Sequence, residues 1–519
     1  MNTTEFLTIA SSICPDREAV VFEGKRFTFS DLNERVNRLA NALMGLGIEK
    51  GDRVAILQVN CNQYVEAYYA VAKLGAIFVP LNFRSNRQEF IRMLKHSESS
   101  ALLVGSRYVE MVNSMRRELP LVKHYISLEG KQEGMLDYEE LLATASEDEV
   151  CTAIADEDIT ILIYTAGTTG LPKGVPLSHN SFSIYVLENV NPADPEIEET
   201  NLLTMPLYHI AGAQAMLAAT YGGRTLVMMR QFEVNEWLEM VQREKVNRAM
   251  LVPTMLKRVI DCPDLAKYDL SSLKVFTYGA APMTFEVIKR AIGLFPGVKF
   301  INAFGQTETA STITTLGPED HVIEGTEKEK AKKLRRLTSS IGKPVSDIEM
   351  RIIGEDGRAL PPGEVGEIMT RGPRVMSGYW KNAEKTAKAI TADGWLHTGD
   401  MGYMDEEGYF YLVARADDLI IRGGENISPE EVENVLHSHP AIEEAAVIGV
   451  PSEEWGQEPR AIVVLKKEKC ATAEELIEFC RQRLASFARP RSVVFVGKLP
   501  RTCTGKVLKR ILREQYGKP

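Results

Sequence analysis

The 519-residue chain is 44% hydrophobic and 25% charged, a balance that suits well-buried globular domains and excludes collagen-like or disordered polymers. A chain of this length exceeds what one hydrophobic core usually organises, so at least two domains are expected. Its net charge of −10 argues against non-specific nucleic-acid binding, which needs a basic face, although a few local Lys and Arg can still build an anion site.

In chain order, the first residues, Met1 to Glu18, show no basic stretch followed by an apolar core, so no secretory signal is read there and a cytoplasmic protein is expected. The seven cysteines are scattered and odd in number, with no CxxC pair, which signals neither a zinc site nor a disulfide framework. Ser30 is expected to cap a helix whose Leu32, Val36, Leu39, Leu43 and Leu46 step by threes and fours; Gly45 and Gly47 end it. Val54 to Leu57 follows as a buried strand. The apolar stretch Tyr64 to Leu81 carries Glu66 and Lys73 and reads as a buried helix leading into a strand, not a membrane span. Similar alternation at Ala101–Val104, Ile159–Ile163 and Val275–Tyr278 predicts an α/β architecture with largely parallel sheets.

The Lys- and Arg-rich stretch from Glu327 to Arg336 reads as a solvated surface loop. From about 342 to 415 the texture changes to short strands and tight turns, the look of a small β-barrel-like subdomain within a large N-terminal domain, 1–416. Residues 417–519 read as a small α+β C-terminal domain, with helix starts at Ser428-Pro429 and at Thr472 with Glu475. No internal repeat is found.

The densest chemical signal is Tyr164-Thr-Ala-Gly-Thr-Thr-Gly-Leu-Pro-Lys173-Gly174, placed directly after a buried strand. Backbone N–H groups and hydroxyls of such a loop can donate to phosphates, and Lys173 adds a point charge. It is not the P-loop of NTPases, because Pro172 and Gly174 flank the lysine. Further elements follow in order: Pro206-Leu-Tyr-His209, Tyr278-Gly-Ala-Ala-Pro282, Asn302-Ala-Phe-Gly-Gln-Thr-Glu308-Thr309 and Gly394-Trp-Leu-His-Thr-Gly-Asp400. Then come Ala414-Arg415-Ala-Asp417-Asp418, leading to Gly424 and Asn426, and finally Pro500-Arg-Thr-Cys-Thr-Gly-Lys506.

Taken together, these motifs resemble the adenylate-forming superfamily of acyl-CoA synthetases, peptide-synthetase adenylation domains and luciferases, over essentially the whole chain from Phe27 to Lys506. The resemblance implies that Thr165, Gly167, Thr168, Thr169 and Lys173 hold the ATP β- and γ-phosphates. It implies that Gly279, Ala280 and Ala281 line the adenine and acyl sites, and that Phe304 stacks on adenine. Thr307 would contact the α-phosphate and Glu308 would hold Mg²⁺, which prefers oxygen ligands. Asp400 would bind the ribose hydroxyls, with Arg415 as its partner on ribose and phosphate. Lys506 would bridge the carboxylate and the α-phosphate, and Asp417 would be the hinge of a mobile C-terminal domain. Two positions depart from the family pattern: Ala166 stands where serine is usual and Phe304 where tyrosine is commoner.

The resemblance favours a CoA ligase that forms AMP and pyrophosphate, with an enzyme loading a carrier protein as the alternative. Coenzyme A contacts would come from Gly424, Trp455, Phe487, Arg489 and Arg491, with Arg84 a weaker candidate; an aromatic with nearby arginines suits an adenine bearing a phosphate. The acyl pocket would be lined by Met205, His209 (also a catalytic candidate), Ile210, Gly279, Ala280, Ala303 and Gly305. Small residues at four of these positions suggest room for a ring or chain, and the set offers no charged partner for a second ionised group. An apolar monocarboxylate, aromatic, alicyclic or medium-chain, is therefore expected. A homodimer is left open.

Overall fold

Short apolar runs bounded by glycine and polar turns become the parallel strands of two sheets in the computed structural model, which describes residues 1–165, 172–423, 425–501 and 507–518. The first sheet orders its seven strands Leu136–Asp137, His124–Ser127, Ala101–Val104, Arg53–Leu57, Ile77–Pro80, Ile159–Thr165 and Lys173–Ser178. Neighbours are parallel except the last two, which form an antiparallel hairpin. Every residue of Ile77–Pro80 and Ala101–Val104 is buried, as expected of strands covered on both faces.

The second sheet has thirteen strands, with Lys25–Thr28 at one edge, antiparallel to Glu18–Phe22. Glu18–Phe22, Thr225–Met228, Thr200–Leu203, Arg248–Leu251, Val275–Gly279 and Lys299–Gln306 lie parallel, in that spatial order. Beyond Lys299–Gln306 the sheet turns antiparallel through Ser311–Leu316, Ser340–Pro344, Phe410–Arg415, Leu396–Met404, Gly366–Arg371 and Glu349–Ile353. These last strands are the β-rich segment read from about Gly342, and they pair as an open ladder continuous with the larger sheet. A third sheet, Glu425–Ile427, Ile420–Arg422, Gly456–Leu465 and Ile442–Ser452 with Ser492–Phe495 alongside, carries the helices Pro429–His437, Ala473–Arg481 and Lys509–Tyr516. It packs around its own core of Ile420, Val432, Leu436, Val447, Val463 and Leu476.

Two sequence expectations are corrected. The helix Phe29–Gly45 is capped by Thr28, not Ser30. Thr28 Oγ1 accepts from Asp31 N at 3.0 Å and Asp31 Oδ2 accepts from Thr28 N at 2.9 Å, a reciprocal pair that starts the helix early and buries Phe29. The basic stretch is a helix, Glu327–Ser339, rather than a loop. Thr326 and Glu329 form a capping box, and the cations find acids: Lys330 with Glu327 at 3.0 Å, Arg336 with Asp320 at 2.7 Å, and Lys332 with Glu407. The helix Asn62–Lys73 is buried along its whole length, and its two charges are satisfied. Glu66 accepts from Asn62 Nδ2 and Tyr138 Oη at 2.7 Å and pairs with Arg35 at 3.0 Å; Lys73 Nζ donates to Asn37 Oδ1 at 2.7 Å. Among the described residues, no helix is long and apolar enough to cross a membrane.

Candidate active site

Parallel strands of an open α/β sheet present their carboxyl ends at one edge, where ligands usually bind. Three such ends carry the motifs of the second sheet. Thr200–Leu203 leads into Met205 and His209; Val275–Gly279 leads into Ala280 and Ala281; Lys299–Gln306 carries Ala303, Phe304 and Gly305 and ends at Thr307 and Glu308. Gly279 lies opposite Ala303 in register, which brings two of these motifs side by side. Ala280 adopts φ +63°, a left-handed conformation uncommon for a residue with a Cβ and frequent at functional sites. Phe304 is half-buried, packed partly beside Ile341 and Ile313.

His209 caps the helix Ile210–Tyr221, its Nδ1 accepting from Ala211 N at 3.3 Å. Desolvation pushes its pKa down to about 4, so the imidazole is neutral at pH 7. The loop before it is fixed by Asn60, a buried residue that follows the strand Arg53–Leu57 of the other sheet. Asn60 Nδ2 donates to Met205 O at 3.1 Å and its Oδ1 accepts from Leu207 N at 2.9 Å. One amide thus ties both sheets to the same edge.

On the first sheet, Thr165 and Lys173 are register partners where the antiparallel hairpin's two strands are joined, with Ile159 and Ser178 paired at the opposite end. Lys173 Nζ stands 4.9 Å from the centre of the Tyr379 ring, and Tyr379 Oη donates to Glu308 Oε1 at 3.0 Å. Neighbouring backbone joins the same elements: Met376 N donates to Glu308 O and Trp380 N to Gly174 O, each at 2.8 Å. Asp400 and Arg415 face each other across adjacent strands, with Arg415 Nη1 donating to Asp400 Oδ1 at 2.9 Å and to Thr398 O at 3.0 Å. Burial alone would lower the Arg415 pKa, but Asp400, with a further contribution from Glu308, leaves it raised.

The structure therefore brings Lys173, Glu308, Asp400 and Arg415 into one neighbourhood with Thr165, Thr307 and the Gly279–Ala281 segment. Ala166, Gly167, Thr168, Thr169, Gly424 and Lys506 lie outside the described residues. Asp417 sits in an exposed turn after Arg415, whose carbonyl accepts from Asp418 N at 2.8 Å and Leu419 N at 3.0 Å. Of the coenzyme A candidates, Trp455 is exposed and lies 4.8 Å from the Arg422 guanidinium, which also donates to Phe487 O at 3.4 Å. Arg489 Nε donates to Leu484 O at 3.1 Å and the Arg491 side chain is exposed. Arg84 lies apart from these four, in a cavity of about 220 Å³ that it lines with Phe83, Arg230, Arg258 and Arg501.

Sequence reasoning missed Tyr379, Trp380 and Asn60. A Gly-Tyr-Trp run hints at a packed turn, but no spacing announces which carboxylate its hydroxyl meets.

A two-sheet α/β body whose strand ends gather a lysine hairpin, a carboxylate and an Asp–Arg pair is the architecture of an adenylate-forming enzyme. The AMP-binding enzyme family model matches residues 10–380 and the AMP-binding enzyme C-terminal domain model matches residues 431–506. The chain belongs to this superfamily, as an enzyme of the AMP-forming acid–CoA ligase family. It is 35% identical over 504 residues to a feruloyl-CoA synthase of an Amycolatopsis species, covering 97% of this chain and 96% of the other. It is 32% identical over 511 residues to a fatty acid–[acyl-carrier-protein] ligase of Streptomyces coeruleorubidus, covering 97% and 94%. Among solved structures, the anthranilate CoA ligase AuaEII in complex with anthranoyl-AMP superposes with a TM-score of 0.90 at 26% identity, covering 100% of this chain and 97% of that one.

Proposed function

We propose that the protein uses ATP to convert an apolar monocarboxylate, aromatic, alicyclic or medium-chain, to its acyl-adenylate and then transfers the acyl group to coenzyme A. The observation that carries the reading is the convergence of Lys173, Glu308, Asp400 and Arg415 beside the carboxyl end of the strand Lys299–Gln306. A carboxylate approaching the α-phosphate is anion meeting anion, so the work is positioning and charge stabilisation. No general base is needed, since the acid is already ionised at pH 7. Lys173 and Thr165, with Gly167, Thr168 and Thr169, would hold the outer phosphates. Thr307 would contact the α-phosphate, Asp400 and Arg415 the ribose, and Phe304 the adenine. Lys506 would offset the charge between the two anions.

Glu308 fits a magnesium site. It is a hard oxygen ligand that, among the described residues, accepts a side-chain hydrogen bond at one oxygen only, and Mg²⁺ is typically held by one carboxylate and substrate phosphates. Bound there, the ion would neutralise phosphate charge. Residues 417–519 would form a small domain turning about Asp417, with Gly424, Trp455, Phe487, Arg489 and Arg491 serving coenzyme A. An apolar acid is supported by the absence of a charged partner among Met205, His209, Ile210, Gly279, Ala280, Ala303 and Gly305, since His209 is neutral.

A second reading, transfer to a carrier protein, is favoured by the Streptomyces coeruleorubidus relative. The test is a panel of aromatic, alicyclic, medium-chain and dicarboxylic acids, assayed for AMP and pyrophosphate with CoA, with a phosphopantetheinylated carrier protein, and with neither. The proposal expects AMP, pyrophosphate and acyl-CoA from an apolar acid. Formation of ADP, or thioester on the carrier protein alone, would overturn it.

A further inference from the structure

The segment Met376–Trp380 crosses the site as a strap. Its first residue holds the Glu308 backbone and its last holds Gly174, so it spans from the Glu308 turn to the arm of the hairpin that carries Lys173. A Cβ on Gly378 would lie 2.6 Å from Thr386 Cγ2, and Tyr379 N donates to Thr386 Oγ1 at 2.9 Å, so the strap is seated closely on the helix Ala383–Ala389. One residue before its end, Tyr379 turns its hydroxyl and its ring to two different partners. The hydroxyl meets Glu308 Oε1 at 3.0 Å, and the ring meets the Lys173 ammonium at 4.9 Å.

We propose that Tyr379 is a positioning residue of the adenylation step: its hydroxyl fixes the Glu308 carboxylate with one oxygen free for magnesium, and its ring holds Lys173 toward the ATP phosphates. The inference rests on the role proposed above for Glu308. A phenol O–H donates to a single acceptor, so occupying Oε1 sets the carboxylate plane and leaves the other oxygen for the ion. The negative face of an aromatic ring attracts an ammonium without neutralising it, so Lys173 is steered and stays cationic. A phenol keeps its proton throughout the neutral range, so the hydroxyl acts as a donor.

The two contacts can be separated. Tyr379→Phe keeps the ring and removes the hydroxyl; Tyr379→Leu removes both; Glu308→Gln is the control. ATP binding is measured by calorimetry in Mg²⁺ and in EDTA, beside the Mg²⁺ concentration that half-saturates pyrophosphate exchange and the melting temperature. Tyr379→Phe should raise the half-saturating Mg²⁺ about tenfold, the scale for loss of a carboxylate-orienting hydrogen bond, and leave ATP affinity in EDTA unchanged. Tyr379→Leu should in addition weaken ATP binding in EDTA severalfold; if that variant does not fold, the phenylalanine variant decides. An unaltered Mg²⁺ requirement in Tyr379→Phe, or a fall in kcat with both binding constants unmoved, overturns the inference provided Glu308→Gln does shift the requirement. If Glu308→Gln shifts nothing, the metal role of Glu308 fails first, and this inference with it.

Discussion

A Cβ placed on Gly305 would fall 1.7 Å from the Ser311 carbonyl oxygen, and one on Gly279 would fall 2.1 Å from the Ala303 carbonyl oxygen. Both are neighbouring-strand backbone, which cannot swing aside. The smallness of these residues, read in the sequence as room for a substrate ring, answers first to strand packing beside a register shift between Phe304 and Gly305. Gly305→Ala should therefore lower stability by roughly 1–3 kcal/mol, the scale of overpacking, and reduce turnover of every acid alike. Thermal unfolding beside the acid panel checks this; a selective loss of large acids at unchanged melting temperature would return Gly305 to the pocket wall. Lys173 drew notice from the residues themselves, a lysine in a glycine- and threonine-rich loop after a buried strand, whereas Glu308, Asp400 and Arg415 drew notice only through the order of motifs that resembles a family. Tyr379 and Asn60 were legible in neither way, because a tyrosine hydroxyl or a buried amide acquires its meaning only from partners 71 and 145 residues away.

At the scale of elements, two histidines stand at helix beginnings. His179 opens the helix His179–Asn189 after its Ser178 cap, and His209 caps Ile210–Tyr221. Burial depresses both to about 4, and the positive end of a helix is in any case a poor place for an imidazolium. His179 Nδ1 also accepts from Thr3 N at 3.2 Å, a bond that protonation would destroy. Between pH 4 and the ordinary 6.5 the unfolded chain binds protons that the native protein refuses. Stability contributed by these groups is thus complete above pH 6.5 and lost as pH falls toward 4, at up to about 1.4 kcal/mol per pH unit for each. Denaturant midpoints at pH 7 and pH 5 should differ less in His179→Asn than in the parent, and parallel slopes would contradict the assignment. The helix Glu327–Ser339 shows where reading by element fell short. Its run of like charges suggested a solvated loop, but its balancing acids Asp320 and Glu407 come from before and far beyond it. The strands, by contrast, were readable from four- and five-residue apolar runs, because burial on both faces leaves little other composition open.

Across the whole molecule, polar contacts between the C-terminal segment and the larger body include an ion pair and a hydroxyl–carbonyl bond. Lys257 Nζ lies 2.6 Å from Glu443 Oε1, and Ser428 Oγ donates to Val413 O at 2.5 Å. The ion pair is partly exposed and contributes on the order of 0.5–1 kcal/mol, enough to change a population two- to fivefold. Under the proposed turning about Asp417, Lys257→Glu should shift the ratio of adenylation to thioester formation by that factor, more at low salt than at high. Adding Glu443→Lys should restore the ratio. Equal ratios in parent, single and double variants would show that the contact does not govern orientation. The expectation of a division near 417 came from texture and motif order, whereas this contact could not be read, since nothing local in either segment names the other. Arg415 has a further consequence. Its side chain pairs with Asp400 and its carbonyl begins the turn that leads to the third sheet. If Asp400 and Arg415 grip the ribose, the handle of the nucleotide stands two residues before the pivot proposed at Asp417. Thermodynamic reciprocity then requires that whatever factor AMP adds to one domain orientation, that orientation adds to AMP affinity. A variant that weakens this coupling must weaken AMP's effect on orientation and orientation's effect on AMP affinity by the same factor.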